Sequence, residues 1–273
     1  MKLGLIGEVL GHSLSPAIHR HLLGAAGIRG TYELIEIPRA ETARRIPELL
    51  ASLDGFNVTI PYKTEVIPYL DGLSEEAARI GAVNTVAVRE GRRLGYNTDY
   101  TGFFRTVDAI GADPAGKDVV VLGTGGASRA VIQCLYDRGA AHIAVASRHP
   151  EAVSAEFRDF AAARGAELIS YEALAETPGG WLLVNCTPCG MYPRTEASPV
   201  AAETAQAFPK VIDIIYNPIE TELLRAAREG GADTANGLRM LAAQGVAAEE
   251  IWLGRTFPED TVEALIKELE GLL

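Results

Sequence analysis

Val119-Val120-Val121-Leu122-Gly123-Thr124-Gly125-Gly126-Ala127-Ser128-Arg129 is the stretch whose reading decides the fold. A short, β-branched apolar run of this kind has the composition of a strand buried on both faces. The glycines after it permit a tight strand-to-helix turn, and Ala127 to Arg138 reads as a helix stopped by Gly139. Ile143 to Ala146 is the next strand. The same unit recurs downstream, with strands at Leu182 to Val184 and Val211 to Ile215 and a helix from about Thr221 to Glu229. Strands separated by helices predict an α/β class with a doubly wound parallel sheet.

Upstream of this stretch the first hundred residues alternate in a similar way. Leu3 to Gly7 reads as a strand, and Ser15-Pro16 as the N-cap and first residue of a helix that stops near Gly27. Thr31 to Ile37 has strand composition, Glu41 to Leu53 has helical spacing, and Gly55 to Ile60 is a strand ending at Pro61. Val83 to Arg89 and Arg93 to Tyr96 flank Glu90-Gly91-Arg92, which reads as a hairpin turn. From Leu238 onward the chain reads as helical throughout. The expected organisation is an α/β domain over 1–100, completed by helices within 238–273, and a second α/β domain over 101–237. Short hinges are expected near Tyr100 and Gly237, with a cleft between the domains.

The chain has 273 residues, enough for two modest domains with separate cores. Its formal net charge of −11 would repel a phosphate backbone over most of the surface, so nucleic acid is not an expected partner. Met1 to Gly7 is too short for the apolar core of a signal peptide, and no apolar run approaches a bilayer span. A cytoplasmic protein without a membrane partner is expected. Cys134, Cys186 and Cys189 suggest no disulfide framework. The C-x-x-C pair Cys186/Cys189 lacks a second ligand pair for zinc, so no metal is expected and the two read as reduced thiols at a strand end.

A pyrophosphate must be approached closely by backbone N–H groups at a helix N-terminus, which calls for glycine at a strand-to-helix turn. Gly123, Gly125 and Gly126 supply it, although Ser128 stands where a third glycine of G-x-G-x-x-G would fall. A dinucleotide is the expected ligand. The end of the following strand distinguishes NAD from NADP: Ser147-Arg148-His149 has no carboxylate before Glu151, and a guanidinium at Arg148 suits a 2′-phosphate.

In the N-terminal half, polar groups punctuate the strand ends: Ser13 and Ser15 in Ser13-Leu14-Ser15-Pro16, and Asn57, Thr59 and Lys63 in Asn57-Val58-Thr59-Ile60-Pro61-Tyr62-Lys63. Asn84-Thr85 and Asn97-Thr98-Asp99 follow. Asn57 and Thr59, two apart on a strand, share a face. Together with Gly123 to Arg129, Asn185-Cys186-Thr187-Pro188, Asp213-Ile214-Ile215-Tyr216 and Gly237-Leu238 through Gln244, these segments resemble the shikimate dehydrogenase family, in its order and over essentially the whole chain.

The resemblance implies a substrate-binding domain followed by a Rossmann-type NADP domain, and reversible oxidation of shikimate to 3-dehydroshikimate. It implies Lys63 and Asp99 as the catalytic pair, and Ser13 and Ser15 at the substrate carboxylate. Asn57, Thr59, Asn84 and Gln244 are then expected at ring hydroxyls or the carboxylate, with Tyr216 also in the substrate site. Gly123, Thr124, Gly125, Gly126, Ala127 and Ser128 through Arg129 are implied at the pyrophosphate and Arg148 at the 2′-phosphate. Gly237 is implied near the nicotinamide, with Ser147, Thr187 and Ile214 as further cofactor contacts. The chain departs from the family pattern at Ser147, His149 and Arg239, and has Glu151-Ala152 where a further basic residue is usual. The alternative is a quinate/shikimate or aminoshikimate dehydrogenase using NAD. A silent nucleotide-binding module would be expected to lack Lys63 or Asp99. The expected assembly is a monomer or homodimer.

Overall fold

β1 (Lys2–Gly7) organises the first of two six-stranded sheets. In the computed structural model, which describes every residue except His12 and Glu259, the chain separates into two compact units. One is Met1–Gly102 with Ala242–Leu272, the other Phe103–Leu241 with Leu273.

The first unit runs β1, α1 (Ser15–Ala25), β2 (Thr31–Glu36), α2 (Thr42–Ser52), β3 (Gly55–Val58), β4 (Gly72–Leu73), α3 (Glu75–Ile80), β5 (Thr85–Arg89) and β6 (Arg92–Tyr96). Its strand order is β2-β1-β3-β5-β6-β4. β1 pairs in parallel with β2 and β3, whereas β3–β5 and β5–β6 are antiparallel. The hairpin closes through Glu90 and Gly91, both at positive φ (50° and 77°), the twist that joins two adjacent strands through two residues. Phe56, Val58, Ile6, Ile46, Leu50 and Tyr62 fill one buried face. The other face packs Leu3 and Ala87 against Ala248 and Trp252. Gly55 must be glycine there, since a Cβ would meet Trp252 Nε1 at 2.3 Å.

α4 (Thr98–Ala109) leads into the second unit, and the division between units falls inside it. That unit contains β7 (Asp118–Leu122), α5 (Gly126–Asp137), β8 (His142–Ser147), α6 (Ala155–Ala162), β9 (Ala166–Ser170), α7 (Tyr171–Glu176), β10 (Leu182–Asn185), α8 (Ala202–Gln206), β11 (Lys210–Asp213), α9 (Glu222–Glu229) and β12 (Asp233–Ala235). All its strand pairs are parallel, in the order β12-β11-β10-β7-β8-β9. Read from β9, this is the doubly wound order that reverses direction between β7 and β10, where such sheets open a ligand crevice at their carboxyl ends.

Two expectations need correction. The tail is not one continuous helical stretch: α10 (Leu238–Leu253) ends at Gly254, whose φ of +64° is left-handed, and α11 (Thr261–Glu270) starts beyond Pro258. Ser15 does not cap α1 with its side chain; it is the first helical residue, and Ser13 Oγ accepts its N–H at 3.2 Å. No helix among the described residues is long and apolar enough to cross a membrane.

Candidate active site

In the first unit most of the polar residues around Lys63 and Asp99 form one connected set. Tyr62 is fully buried and its hydroxyl donates to Ile37 O, while Val83 N–H donates to Lys63 O at 2.7 Å. These contacts pin the turn that carries Lys63 beside the start of α4. Lys63 Nζ donates to Asp99 Oδ2 at 2.5 Å, with both side chains nearly buried. One of three ammonium N–H bonds is used, which leaves two for a substrate oxygen.

Asn84 holds the other side of Asp99. Its Nδ2 donates to Asp99 Oδ1 (2.9 Å) and Thr98 Oγ1 (3.1 Å), and its Oδ1 accepts from Thr98 N–H (2.7 Å) and Thr85 Oγ1 (3.0 Å). With both N–H bonds and both lone pairs engaged, the amide is a fixture for Asp99. Asn57 is held similarly: Nδ2 donates to Asn84 O (3.2 Å) and Thr85 Oγ1 (3.0 Å), and Oδ1 accepts from Tyr32 Oη (2.7 Å). One lone pair on Oδ1 is all that remains for a ligand, so Asn57 can accept from a hydroxyl. Thr98 Oγ1 lies 3.4 Å from Gln244 Oε1 on α10, and Ser13 Oγ donates to Ser15 Oγ at 3.1 Å. Thr59 continues the strand pairing through its N–H to Ile6 O, with its methyl against Gly7.

The second unit presents backbone. Gly123 has φ +98°, and a Cβ there would lie 2.8 Å from Thr187 Cγ2, so the turn after β7 requires glycine for conformation and for room. A Cβ on Gly125 would meet nothing within 4 Å. That open space faces the start of α5, where helix N–H groups are unsatisfied. Ser128 Oγ accepts Gly125 N–H at 3.2 Å and ties the turn to the helix. Thr187 Oγ1 donates to Asn185 Oδ1 at 2.7 Å and shapes the loop after β10, across the switch point. Ser147 Oγ accepts from His149 N–H at 3.3 Å, which leaves Arg148 exposed with no carboxylate partner among the described residues. These groups fit a dinucleotide: backbone donors for a pyrophosphate and a free guanidinium for a 2′-phosphate. Arg129 is committed elsewhere, paired with Glu156 (3.0 Å) over the rings of Phe157 and Phe160.

Gly237 has a packing reason to be glycine. A Cβ would lie 1.9 Å from Ile214 O, and its N–H donates to Ile215 O at 2.9 Å. Asp213 anchors the same region, accepting from Thr221 Oγ1, Asn185 Nδ2 and Ile215 N–H. Burial pushes its carboxyl up to about 6 against those three bonds. Tyr216, also in this unit, is partly buried, and burial raises its phenol. Burial likewise raises the Cys189 thiol, with the charge of Asp213 adding to it. All three cysteines are free, and among the described residues no cluster could hold a metal ion.

The sequence profile of the "Shikimate dehydrogenase substrate binding domain" matches residues 5–86, and that of the "Shikimate 5'-dehydrogenase C-terminal domain" matches 237–267. A shikimate dehydrogenase (NADP(+)) of Clostridium perfringens is 43% identical over 273 residues, 99% of each chain. The chain belongs to the shikimate dehydrogenase family. A chorismate mutase/shikimate 5-dehydrogenase fusion protein from Clostridium acetobutylicum is also similar. Its crystal structure is similar with a TM-score of 0.92 at 41% identity, covering 99% of this chain and 97% of that one. The Thermus thermophilus shikimate 5-dehydrogenase, crystallised with NADP(H) and shikimate, has a TM-score of 0.85 at 35% identity, covering 98% and 99%.

Sequence reasoning passed over three residues that the geometry makes central. Thr85 and Thr98 stand beside Asn84 and Asp99 in sequence, and each lies in the hydrogen-bond set around Asn84 and Asn57. Tyr32 reads in sequence as an ordinary strand aromatic. Its hydroxyl meets Asn57 across β1, a contact that only the register reveals.

Proposed function

We propose that the protein catalyses the reversible, NADP-dependent interconversion of shikimate and 3-dehydroshikimate. The observation that carries this reading is the Lys63–Asp99 pair, fixed by Asn84 among groups suited to a hydroxylated carboxylic acid. Ser13 and Ser15 bind the carboxylate, and Asn57, Thr59 and Gln244 contact the ring hydroxyls. Asn84 acts mainly by holding Asp99.

Bound NADP supplies the acceptor for the hydride that leaves the carbinol carbon. The residues of the chain handle the remaining proton. With its amine neutral, Lys63 takes the hydroxyl proton onto the Nζ lone pair, becoming the ammonium that Asp99 holds, and it gives the proton back to the substrate oxygen in the reverse direction. In the charged form, Lys63 also stabilises negative charge building on that oxygen. Gly123, Thr124, Gly125, Gly126, Ala127 and Ser128 hold the pyrophosphate, and Arg148 pairs with the 2′-phosphate from the end of β8, beside Ser147. Thr187, Ile214 and Gly237 complete the cofactor side, and Tyr216 contacts the substrate.

The test is direct. Purified protein mixed with shikimate and NADP should produce NADPH, and the reverse reaction should consume it with 3-dehydroshikimate. Absence of both, with folding verified, would overturn the reading.

A further inference from the structure

Behind the candidate substrate site lies a buried group that the reaction does not use. His19 on α1 and Glu249 on α10 are both completely buried and face each other, Nδ1 to Oε1, at 3.0 Å. The His19 ring stacks on Tyr32 at 4.1 Å between centroids and 11° between planes, and Trp252 closes the cluster at 5.2 Å from His19. His19 Nε2 and Glu249 Oε2 have no hydrogen-bond partner, an expensive arrangement for a core. What this cluster does for the molecule is to clamp one ring, that of Tyr32.

Tyr32 stands on β2, an edge strand that is otherwise largely exposed. Its hydroxyl donates to Asn57 Oδ1 at 2.7 Å. Burial, reinforced by the charge of Glu249, holds the phenol well above its ordinary range, so it stays a neutral donor and acceptor. From Tyr32 the bonds lead inward: Tyr32 donates to Asn57, Asn57 to Asn84 O and Thr85, and Asn84 to Asp99. Tyr32 lies at one end of this chain and the Lys63–Asp99 pair at the other.

We propose that Tyr32, clamped by the buried His19–Glu249 pair, is a positioning residue for substrate recognition. It fixes the amide of Asn57 so that the remaining lone pair of Oδ1 meets a ring hydroxyl. This proposal rests on the shikimate dehydrogenase reading for the identity of the acid. The chemistry it requires is a ligand with a hydroxyl that donates to Asn57 Oδ1.

Tyr32→Phe keeps the stacked ring and removes the hydroxyl that holds Asn57. The expected result is a KM for shikimate raised about tenfold, with kcat within about threefold and the KM for NADP unchanged. The thermal midpoint should stay close to that of the wild type. In an Asn57→Ala background the same change should shift KM by about twofold or less, because the group through which Tyr32 acts is gone. A merely structural role would give the full effect in both backgrounds, and that result overturns the proposal, as does an unchanged KM in the single variant. If Asn57→Ala does not fold, Asn57→Ser serves as the second background, where its shorter side chain also lacks the Tyr32 contact and the effect of Tyr32→Phe should again be about twofold or less; an undiminished effect overturns the proposal. Calorimetric binding of shikimate separates this idea from the activity reading. A wild type that binds shikimate without turnover, and loses about tenfold in affinity on Tyr32→Phe, refutes the activity and keeps Tyr32. A turning-over wild type indifferent to Tyr32→Phe does the reverse.

Discussion

Asn84 and Gly125 represent two ways of building a polar site. Asn84 is buried, and both ends of its amide are filled by protein partners, so its contribution is the fixed position of Asp99. Gly125 contributes by having no side chain, with nothing within 4 Å of where a Cβ would stand. On the proposed reading, the first unit recognises through a network of side chains locked into each other, and the second through exposed backbone and the Arg148 guanidinium. A locked network concentrates loss in single residues, because each member left without a partner in a buried setting carries the full desolvation cost. A backbone site is tolerant except where added atoms collide.

The largest effect expected from this contrast is in the locked network. Lys63→Ala should lower kcat by about 10²–10⁴-fold while leaving the KM for NADP nearly unchanged. Steady-state kinetics read both, and an unchanged kcat would remove Lys63 from the chemistry. Next come two glycines that should behave oppositely. Gly237→Ala places a methyl 1.9 Å from Ile214 O and should cost about 3 kcal/mol or more of stability, seen as a sharp fall in Tm. Gly125→Ala should leave Tm nearly intact and raise the KM for NADP about tenfold, since the methyl fills the space a pyrophosphate needs. Equal thermal behaviour of the two variants would break the distinction.

A third effect is set by pH. Asp213 has a folded-state pKa of about 6, above the ordinary 3.8, so the folded state binds its proton more tightly than the unfolded one. Its contribution is therefore greatest below about pH 4 and is lost as pH rises through about 6, amounting to roughly 2–3 kcal/mol. The stability of the wild type relative to Asp213→Asn should fall by that amount between about pH 4 and pH 7, as denaturant unfolding across the range would report. A flat difference would mean that the three donors around Asp213 outweigh its burial. The smallest effect is at the exposed cation: Arg148→Ala should raise the KM for NADP about tenfold and leave NAD nearly untouched. Equal changes for both cofactors would exclude Arg148 from the 2′-phosphate.

The second unit was the more legible in sequence. A β-branched run followed by Gly123-Thr124-Gly125-Gly126 is a local signal, and β7, α5, β8, β10 and β11 fall within a few residues of where periodicity puts them. Short, half-buried pieces such as β9, α7 and β12 carry too few apolar residues to stand out from loops. In the first unit the individual motifs were legible, but their connections were not. Tyr32 and Asn57 are 25 residues apart and meet across β1, and His19 and Glu249 are 230 apart on two helices. Contacts of that separation leave no periodicity. The end of α10 was missed because Gly254 looks like one more small residue in a helical composition, and only its left-handed φ marks the stop.

The most direct measurement is kcat/KM for the four combinations of shikimate or quinate with NADP or NAD. If the locked network reads shikimate and Arg148 reads the 2′-phosphate, shikimate with NADP is the best pair by at least about tenfold in each direction. A higher kcat/KM for quinate with NAD would contradict the account.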